Sequence, residues 1–254
     1  MTLLSLNNVE RRFGGLRAVA GVSFDVPAGR VTGLIGPNGS GKTTVINLVT
    51  GMLGVTSGRI TFKGDDISEL PPHEVARAGV ARTFQSIRLL RDLTVLDNVV
   101  IGFHRHEKTN LVENLFGLPA ARRERREFRD RANVLLKRFG MTDYANYAAG
   151  QLSYGHQRKV EVMRAVAAAP DLLLLDEPVA GMNDVEAYEL ADLLRELVAD
   201  GIAILLVEHN MRFVMSLCEH IHVVNSGQLI ASGPPDAVAN DPAVIAAYLG
   251  EARA

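Results

Sequence analysis

Gly36-Pro37-Asn38-Gly39-Ser40-Gly41-Lys42-Thr43 combines residue types and spacing that suit one chemistry, the holding of phosphates. The run fits G-x-x-x-x-G-K-[ST] and lies between an apolar strand pattern, VTGLI, and the helical spacing of VINLVTGML. Glycines let the main chain wrap closely around phosphates with N–H groups turned inward, and the helix starting there adds the positive end of its dipole. Lys42 offers a point charge to the β- and γ-phosphates, and the Thr43 hydroxyl offers a ligand to Mg²⁺. Asn38, Ser40 and Thr44 belong to the same cradle. The expected ligands are a nucleotide carrying β- and γ-phosphates, and Mg²⁺.

A second chemical element closes the apolar run LLLLDEP with Asp176 and Glu177. A carboxylate at the end of a buried strand is costly unless it is paired or holds a metal. Asp176 is therefore expected to serve Mg²⁺, directly or through another ligand. Glu177 is expected to polarise an attacking water, help that is typically worth ~10²–10⁴ in rate.

These groups need a sheet to carry them. LLSLNNV, VSFDV and VTGLI read as strands, and GRITFKG as another after the turn at Ser57-Gly58. A short helical stretch with Pro71-Pro72 precedes VARTFQ, read as a strand ending at Gln85. After residue 170 come the strand LLLLDEP, a helix over EAYELADLLRELVADG and the strand IAILLVEH. A helix through MRFVMSLCEH, the strands IHVVNSG and GQLIASG, and a terminal helix near AVIAAYLG complete the order. Strand–helix alternation with near-continuous apolar strands predicts an α/β fold: a mostly parallel, covered core sheet with an N-terminal antiparallel β portion.

The middle of the chain, about 86–165, is rich in helix formers and mixed charge. Phe128, Ala132, Leu135, Leu136 and Phe139 fall on one face of a helix. RRERREFRDR has basic residues, but Glu124, Glu127 and Asp130 interleave them, and Glu127 stands four before Arg131, so a solvated helix face is expected. This block reads as an inserted α-helical subdomain. The division expected within a single domain, 1–254, is a core of about 1–85 and 166–254 and a helical part of about 86–165.

Composition sets the outer limits. With 254 residues, 47% apolar and 22% charged, the chain can bury a full α/β core. A net charge of −2 offers no field for nucleic acid, which is not an expected partner. The single cysteine, Cys218, excludes an internal disulfide framework and reads as a small buried apolar residue. No basic leader with a long apolar stretch opens the chain, and no apolar run reaches the ~18–20 residues of a membrane helix. Work at a membrane would proceed through partner subunits.

Three further segments carry a family resemblance. Leu152-Ser153-Tyr154-Gly155-His156-Gln157 resembles the LSGGQ signature of ABC ATPases and lies 24 residues before Asp176. Gln85, in RTFQ, matches that family's Q-loop, and His209, in LLVEHN, its switch histidine. In this order the resemblance covers nearly the whole chain. It implies a P-loop NTPase (RecA-like) fold and ATP sandwiched between two such subunits. Ser153 and Gly155 of one would then face the γ-phosphate held by the other. It further implies that His209 contacts the γ-phosphate, that Gln85 touches Mg²⁺ or water, and that Phe13, in RRFGG, stacks on adenine; packing in the core is the alternative for Phe13. Tyr154 and His156 stand where the consensus has Gly and Gln, and Ala180-Gly181-Met182-Asn183 stands where many relatives have an acidic ending.

ARTFQ, LSYGHQR, DEPVAGMN, VEHNM, the end GPPDAVANDPAVIAAYLG and the charged insertion between Gly102 and Asn133 resemble ATP-binding subunits of branched-chain amino acid importers. That implies ATP hydrolysis coupled to import of branched-chain amino acids or related small polar solutes. The implied partners are an identical or paralogous ABC ATPase subunit, two transmembrane permease subunits and, indirectly, a solute-binding protein. The implied location is peripheral, on the cytoplasmic face of the inner (plasma) membrane. Leu89 and Leu90, just after Gln85, fall where the family docks a permease helix; ordinary subdomain core is the alternative. The rival function is a non-transport ABC ATPase acting as a mechanical or binding protein. Against it stand the single P-loop and an insertion far too short for a long coiled coil.

Overall fold

The computed structural model describes residues 1–109, 113, 115, 116 and 118–251. Parts of the insertion between Gly102 and Asn133, residues 110–112, 114 and 117, lie outside the described residues, as do 252–254. The chain forms two compact units, Met1–Arg82 with Asp171–Ala180 and Ala187–Ala254, and Thr83–Pro170 with Gly181–Glu186.

The first unit holds strands β1 (Thr2–Phe13), β2 (Leu16–Pro27), β3 (Val31–Ile35), β4 (Ser57–Phe62), β5 (Asp65–Asp66), β6 (Val80–Arg82), β7 (Leu172–Asp176), β8 (Ala203–Val207), β9 (His220–Asn225) and β10 (Gln228–Gly233). They build an antiparallel sheet in the order β2-β1-β4-β5 and a six-stranded sheet in the order β10-β9-β3-β8-β7-β6. The six-stranded sheet is parallel except for β10 against β9. Strands β3, β7 and β8 are buried at every position, as a sheet covered on both faces requires. The expected α/β layout, a mostly parallel core with an antiparallel N-terminal portion, holds.

Two boundaries differ from the sequence reading. The strand read as VARTFQ stops at Arg82, and the carbonyls of Phe84 and Gln85 accept from Arg158 instead of a sheet neighbour. The helix read through MRFVMSLCEH stops at Leu217, because His220 already pairs with Thr32 as the first residue of β9. The buried Cys218 thiol lies between them, its pKa pushed up to about 12 by burial, so it is an inert apolar filler.

Helices of the first unit include α1 (Lys42–Val49) and α2 (Pro72–Ala78). The second unit contains α3 (Val95–Gly102), α4 (Pro119–Arg138) and α5 (Tyr154–Ala167). Phe128, Ala132, Leu136 and Phe139 are buried, and Phe128 stacks on Phe103 with ring centroids 5.5 Å apart. Gly102 lets α3 approach α5: an added Cβ there would meet the Arg164 carbonyl oxygen at 2.3 Å. The next helix, α6 (Asp184–Ala199), starts behind Asn183, whose Oδ1 accepts from Glu186 N while Glu186 Oε2 accepts from Asn183 N. That reciprocal cap gives Asn183 a local role at the place where an acidic ending was noted as missing. The remaining helices are α7 (Met211–Leu217), α8 (Pro235–Ala239) and α9 (Pro242–Glu251). Among the described residues, no helix is long and apolar enough to cross a membrane.

Candidate active site

Strands β3, β8 and β7 lie side by side and in register: Leu34 pairs with Val207, and Val207 with Asp176. The segments leaving these three strands therefore emerge at the same edge of the sheet. After β3 comes the glycine-rich loop, after β7 comes Glu177, and after β8 come Glu208 and His209. The carboxyl ends of parallel strands are where such sheets bind ligands.

The loop is built around main-chain proximity. Gly36 and Gly41 have φ +150 and +108, and added Cβ atoms would fall 1.9 Å from Val224 O and 2.6 Å from Ala18 O. No side chain fits at either position. Helix α1 begins at Lys42 behind Gly41 with no side-chain cap, and a helix start of this kind suits an anion. Lys42 is buried, and its Nζ donates to Gly36 O at 2.7 Å and Pro37 O at 2.8 Å, which holds the ammonium across the loop. Asn38, Gly39 and Thr43 are exposed and Ser40 is buried. Thr44 is half-buried.

Asp176 is paired. Arg82 Nη2, from the end of β6, donates to Asp176 Oδ2 at 3.0 Å, while Nη1 donates at 2.6 Å to Asn47 Oδ1 on α1. Arg82 thereby joins the end of β6, the helix behind the phosphate loop and the end of β7. Sequence reading had no signal for this residue, since nothing local marks an arginine as the partner of a carboxylate 94 positions away.

Glu177 adopts φ +50, a left-handed conformation uncommon for a residue with a side chain, and its N–H donates to Val207 O at 2.8 Å. Such backbone strain costs on the order of 1–3 kcal/mol and concentrates where a side chain must be aimed. His209 Nδ1 lies 3.7 Å from Glu177 Oε1, with the histidine side chain 63% exposed and the glutamate 20%. The two expected catalytic groups are thus neighbours at the ends of adjacent strands.

Glu208 was also missed. It is 1% exposed, and its carboxylate accepts from Val179 N at 3.1 Å, His209 N at 2.9 Å and Asn210 N at 3.1 Å. One buried anion therefore ties the turn carrying His209 to the segment just past Glu177. A glutamate directly before the histidine offered no period or motif by which to find it.

Phe13 ends β1 at the surface, 44% exposed, with the Arg11 guanidinium 4.7 Å from its ring centre. The ring is not in the core. Gln85, Ser153 and Gly155 belong to the second unit. Gln85 and Ser153 are exposed, and Ser153 Oγ accepts from His156 N at 3.3 Å as the cap of α5. Gly155 is buried, where an added Cβ would meet Glu186 Oε1 at 2.7 Å. His156 rests on Tyr144, with ring centroids 4.5 Å apart.

The donor set suits Mg²⁺ in a particular way. Among the described residues no cluster of three or more His, Cys, Asp or Glu is placed to hold a metal by itself. An exposed Thr43 hydroxyl at the start of α1 and the Asp176 carboxylate instead supply few hard oxygens, as Mg²⁺ requires when phosphates complete its shell.

Comparisons with known proteins show the family of the chain. A family model described as ABC transporter matches residues 19–180, and one described as branched-chain amino acid ATP-binding cassette transporter matches residues 228–254. The chain is 44% identical over 251 residues to the high-affinity branched-chain amino acid transport ATP-binding protein BraF of Pseudomonas aeruginosa, covering 98% of each chain. It is equally 44% identical to the protein LivG of the same description from Escherichia coli, again over 98% of each. Among solved structures, a nucleotide-free ATP-binding cassette from an ABC transporter shares 35% identity and a TM-score of 0.86, covering 98% of this chain and 99% of that one. The same figures hold for an ATP-binding cassette in its ADP conformation. With relatives above the level of chance along its whole length and a cassette fold built around a phosphate loop, this chain belongs to the ABC transporter family as one of its ATP-binding ATPase cassettes.

Proposed function

We propose that the chain is the ATP-hydrolysing subunit of an importer for branched-chain amino acids or related small polar solutes. It works at the cytoplasmic face of the plasma membrane beside two permease subunits and, indirectly, a solute-binding protein. The observation that carries hydrolysis is the 3.7 Å approach of His209 Nδ1 to Glu177 Oε1 at the sheet edge shared with the phosphate loop. The solute class is supported by the printed descriptions of BraF and LivG and by the match at 228–254.

In this reading residues 1–254 act as one ABC ATPase domain, and ATP lies between two of them, the second identical or paralogous. Lys42 leaves the loop carbonyls for the β- and γ-phosphates, and the loop N–H groups hold the same oxygens. Thr43 and Asp176, with Gln85, would hold Mg²⁺, which supplies neutralisation of charge on the transferring phosphoryl group. Glu177 accepts the proton of the attacking water, and His209 holds that water and the γ-phosphate in place. Ser153, Gly155 and the first turn of α5 offer donors to the partner's γ-phosphate. Phe13 offers its exposed ring to adenine, and Leu89 with Leu90 receives a permease helix.

Reconstitution into vesicles with the permease subunits and the solute-binding protein tests the reading. ATP-driven uptake of leucine, isoleucine or valine that requires this chain is the expected result. Robust ATP hydrolysis with no uptake of any small polar solute would exclude the importer.

A further inference from the structure

Tyr154 stands where the consensus has glycine, and it does not stand alone. Its hydroxyl accepts from Arg158 Nη2 at 3.0 Å, one turn along α5. Arg158 is wholly buried and Glu161 is 2% exposed, and Arg158 Nη1 meets Glu161 Oε2 at 2.7 Å. The remaining bonds of this pair go to one target, the main chain around Gln85. Arg158 donates to Phe84 O at 2.6 Å and to Gln85 O at 2.8 Å. Glu161 Oε1 accepts from Phe84 N and Arg88 N, each at 3.4 Å. The Tyr154 ring also lies against Gly181, where an added Cβ would approach it at 3.2 Å.

We propose that Tyr154, Arg158 and Glu161 form a positioning clamp that sets the backbone of Gln85 and ties it to the tip of the Ser153 helix. This rests on the reading of Gln85 and Ser153 as parts of the hydrolytic site. A planar guanidinium can bond two successive carbonyls, a carboxylate and a phenol at once because its donors point in fixed directions. The side chain of Gln85 is exposed while its main chain is held on both sides, so its reach is decided by the clamp. Tyr154 follows Ser153 directly, so a displacement at the helix tip moves the phenol, the guanidinium and then the Gln85 carbonyl. Arg158 Nε is buried without a hydrogen-bond partner, so the guanidinium is not saturated and the phenol bond is one it cannot spare.

The test uses the full chain, in whichever assembly turns over Mg-ATP, with two readouts. Tyr154→Phe deletes one hydroxyl and keeps the ring against Gly181. It is expected to lower kcat about tenfold, with KM for Mg-ATP within about twofold, the loss of one bond to a charged group. Amide exchange over residues 84–88 should quicken in the same variant, while exchange over Leu172–Asp176 stays as in the wild type. Arg158→Lys, which keeps the charge and loses the fork, should show the same pair of changes. If Tyr154→Phe alters neither readout, or only one of them, the clamp is overturned. Gln85→Ala separates the two layers: wild-type kcat in that variant sinks the role of Gln85, whereas a lowered kcat beside an unaffected Tyr154→Phe sinks the clamp alone.

Discussion

Arg82 and Asp176 form an ion pair at 3.0 Å with side chains only 9% and 5% exposed, at the ends of adjacent parallel strands. The pair holds the carboxylate proposed for Mg²⁺ in place against the end of β6. Removing one partner of a buried pair leaves the other uncompensated. Arg82→Ala should therefore destabilise the protein by about 3–5 kcal/mol in denaturant unfolding. A loss under ~1 kcal/mol would mean that water or another group already satisfies Asp176.

Glu177→Gln keeps shape and removes the proton acceptor. Nucleotide binding should persist, hydrolysis should slow by at least ~10², and an ATP-bound dimer should accumulate. Light scattering with and without Mg-ATP, beside a phosphate-release assay, reads both. Normal turnover would remove Glu177 as the base. Lys42→Ala should act at the earlier step, weakening nucleotide binding itself in titration calorimetry.

Glu208→Ala strips the acceptor from three N–H groups at once. Each orphaned donor costs on the order of 1–3 kcal/mol, so a marked fall in melting temperature is expected. The sharper consequence is kinetic. With His209 and the segment after Glu177 no longer tied together, kcat should fall while ATP affinity, set at the phosphate loop, is kept. Equal loss of both would make Glu208 a stability residue only.

His222 gives a pH dependence with a definite sign. Burial, against the help of its bond to Asp25 O, lowers its pKa from 6.5 to about 4. Between those values the unfolded chain binds the proton and the folded chain does not, so stability is fully present above pH ~6.5 and is lost as pH falls towards ~4. The shift corresponds to about 3 kcal/mol. Unfolding midpoints across that range should slope for the wild type and flatten for His222→Gln; parallel slopes would remove His222 as the cause.

Leu89 is half-buried and Leu90 is 49% exposed, which leaves apolar surface next to the Gln85 loop. Leu89→Asp should uncouple hydrolysis from uptake in reconstituted vesicles, with ATP still consumed. Unchanged coupling would assign both leucines to ordinary packing.

What could be read in one dimension was what is written contiguously. The phosphate loop spans residues 36–43 as one unbroken motif, so composition and spacing were sufficient. The buried strands β3, β7 and β8 were visible as apolar runs. Arg82, Glu208, Arg158 and Glu161 were not visible. Each is a charged residue whose meaning depends on a main-chain group or acid brought near by folding, and in the sequence each looks like any solvated charge. The end of β6 escaped for the same reason: its continuation loses its carbonyls to an arginine more than 70 positions later.

By itself, then, the sequence determined the fold class and the phosphate-loop motif and pointed to Asp176 and Glu177, because local spacing and strand hydrophobicity are properties of neighbours along the chain; His209 came from the family resemblance. Only the tertiary structure decided which charges those groups meet, that Glu208 accepts from His209 N, and that the Arg158 guanidinium bonds both Tyr154 and the Gln85 carbonyl. Burial makes an unpaired charge too costly to keep, so folding had to supply the partners, and pairs so widely separated along the chain can be recognised only in three dimensions.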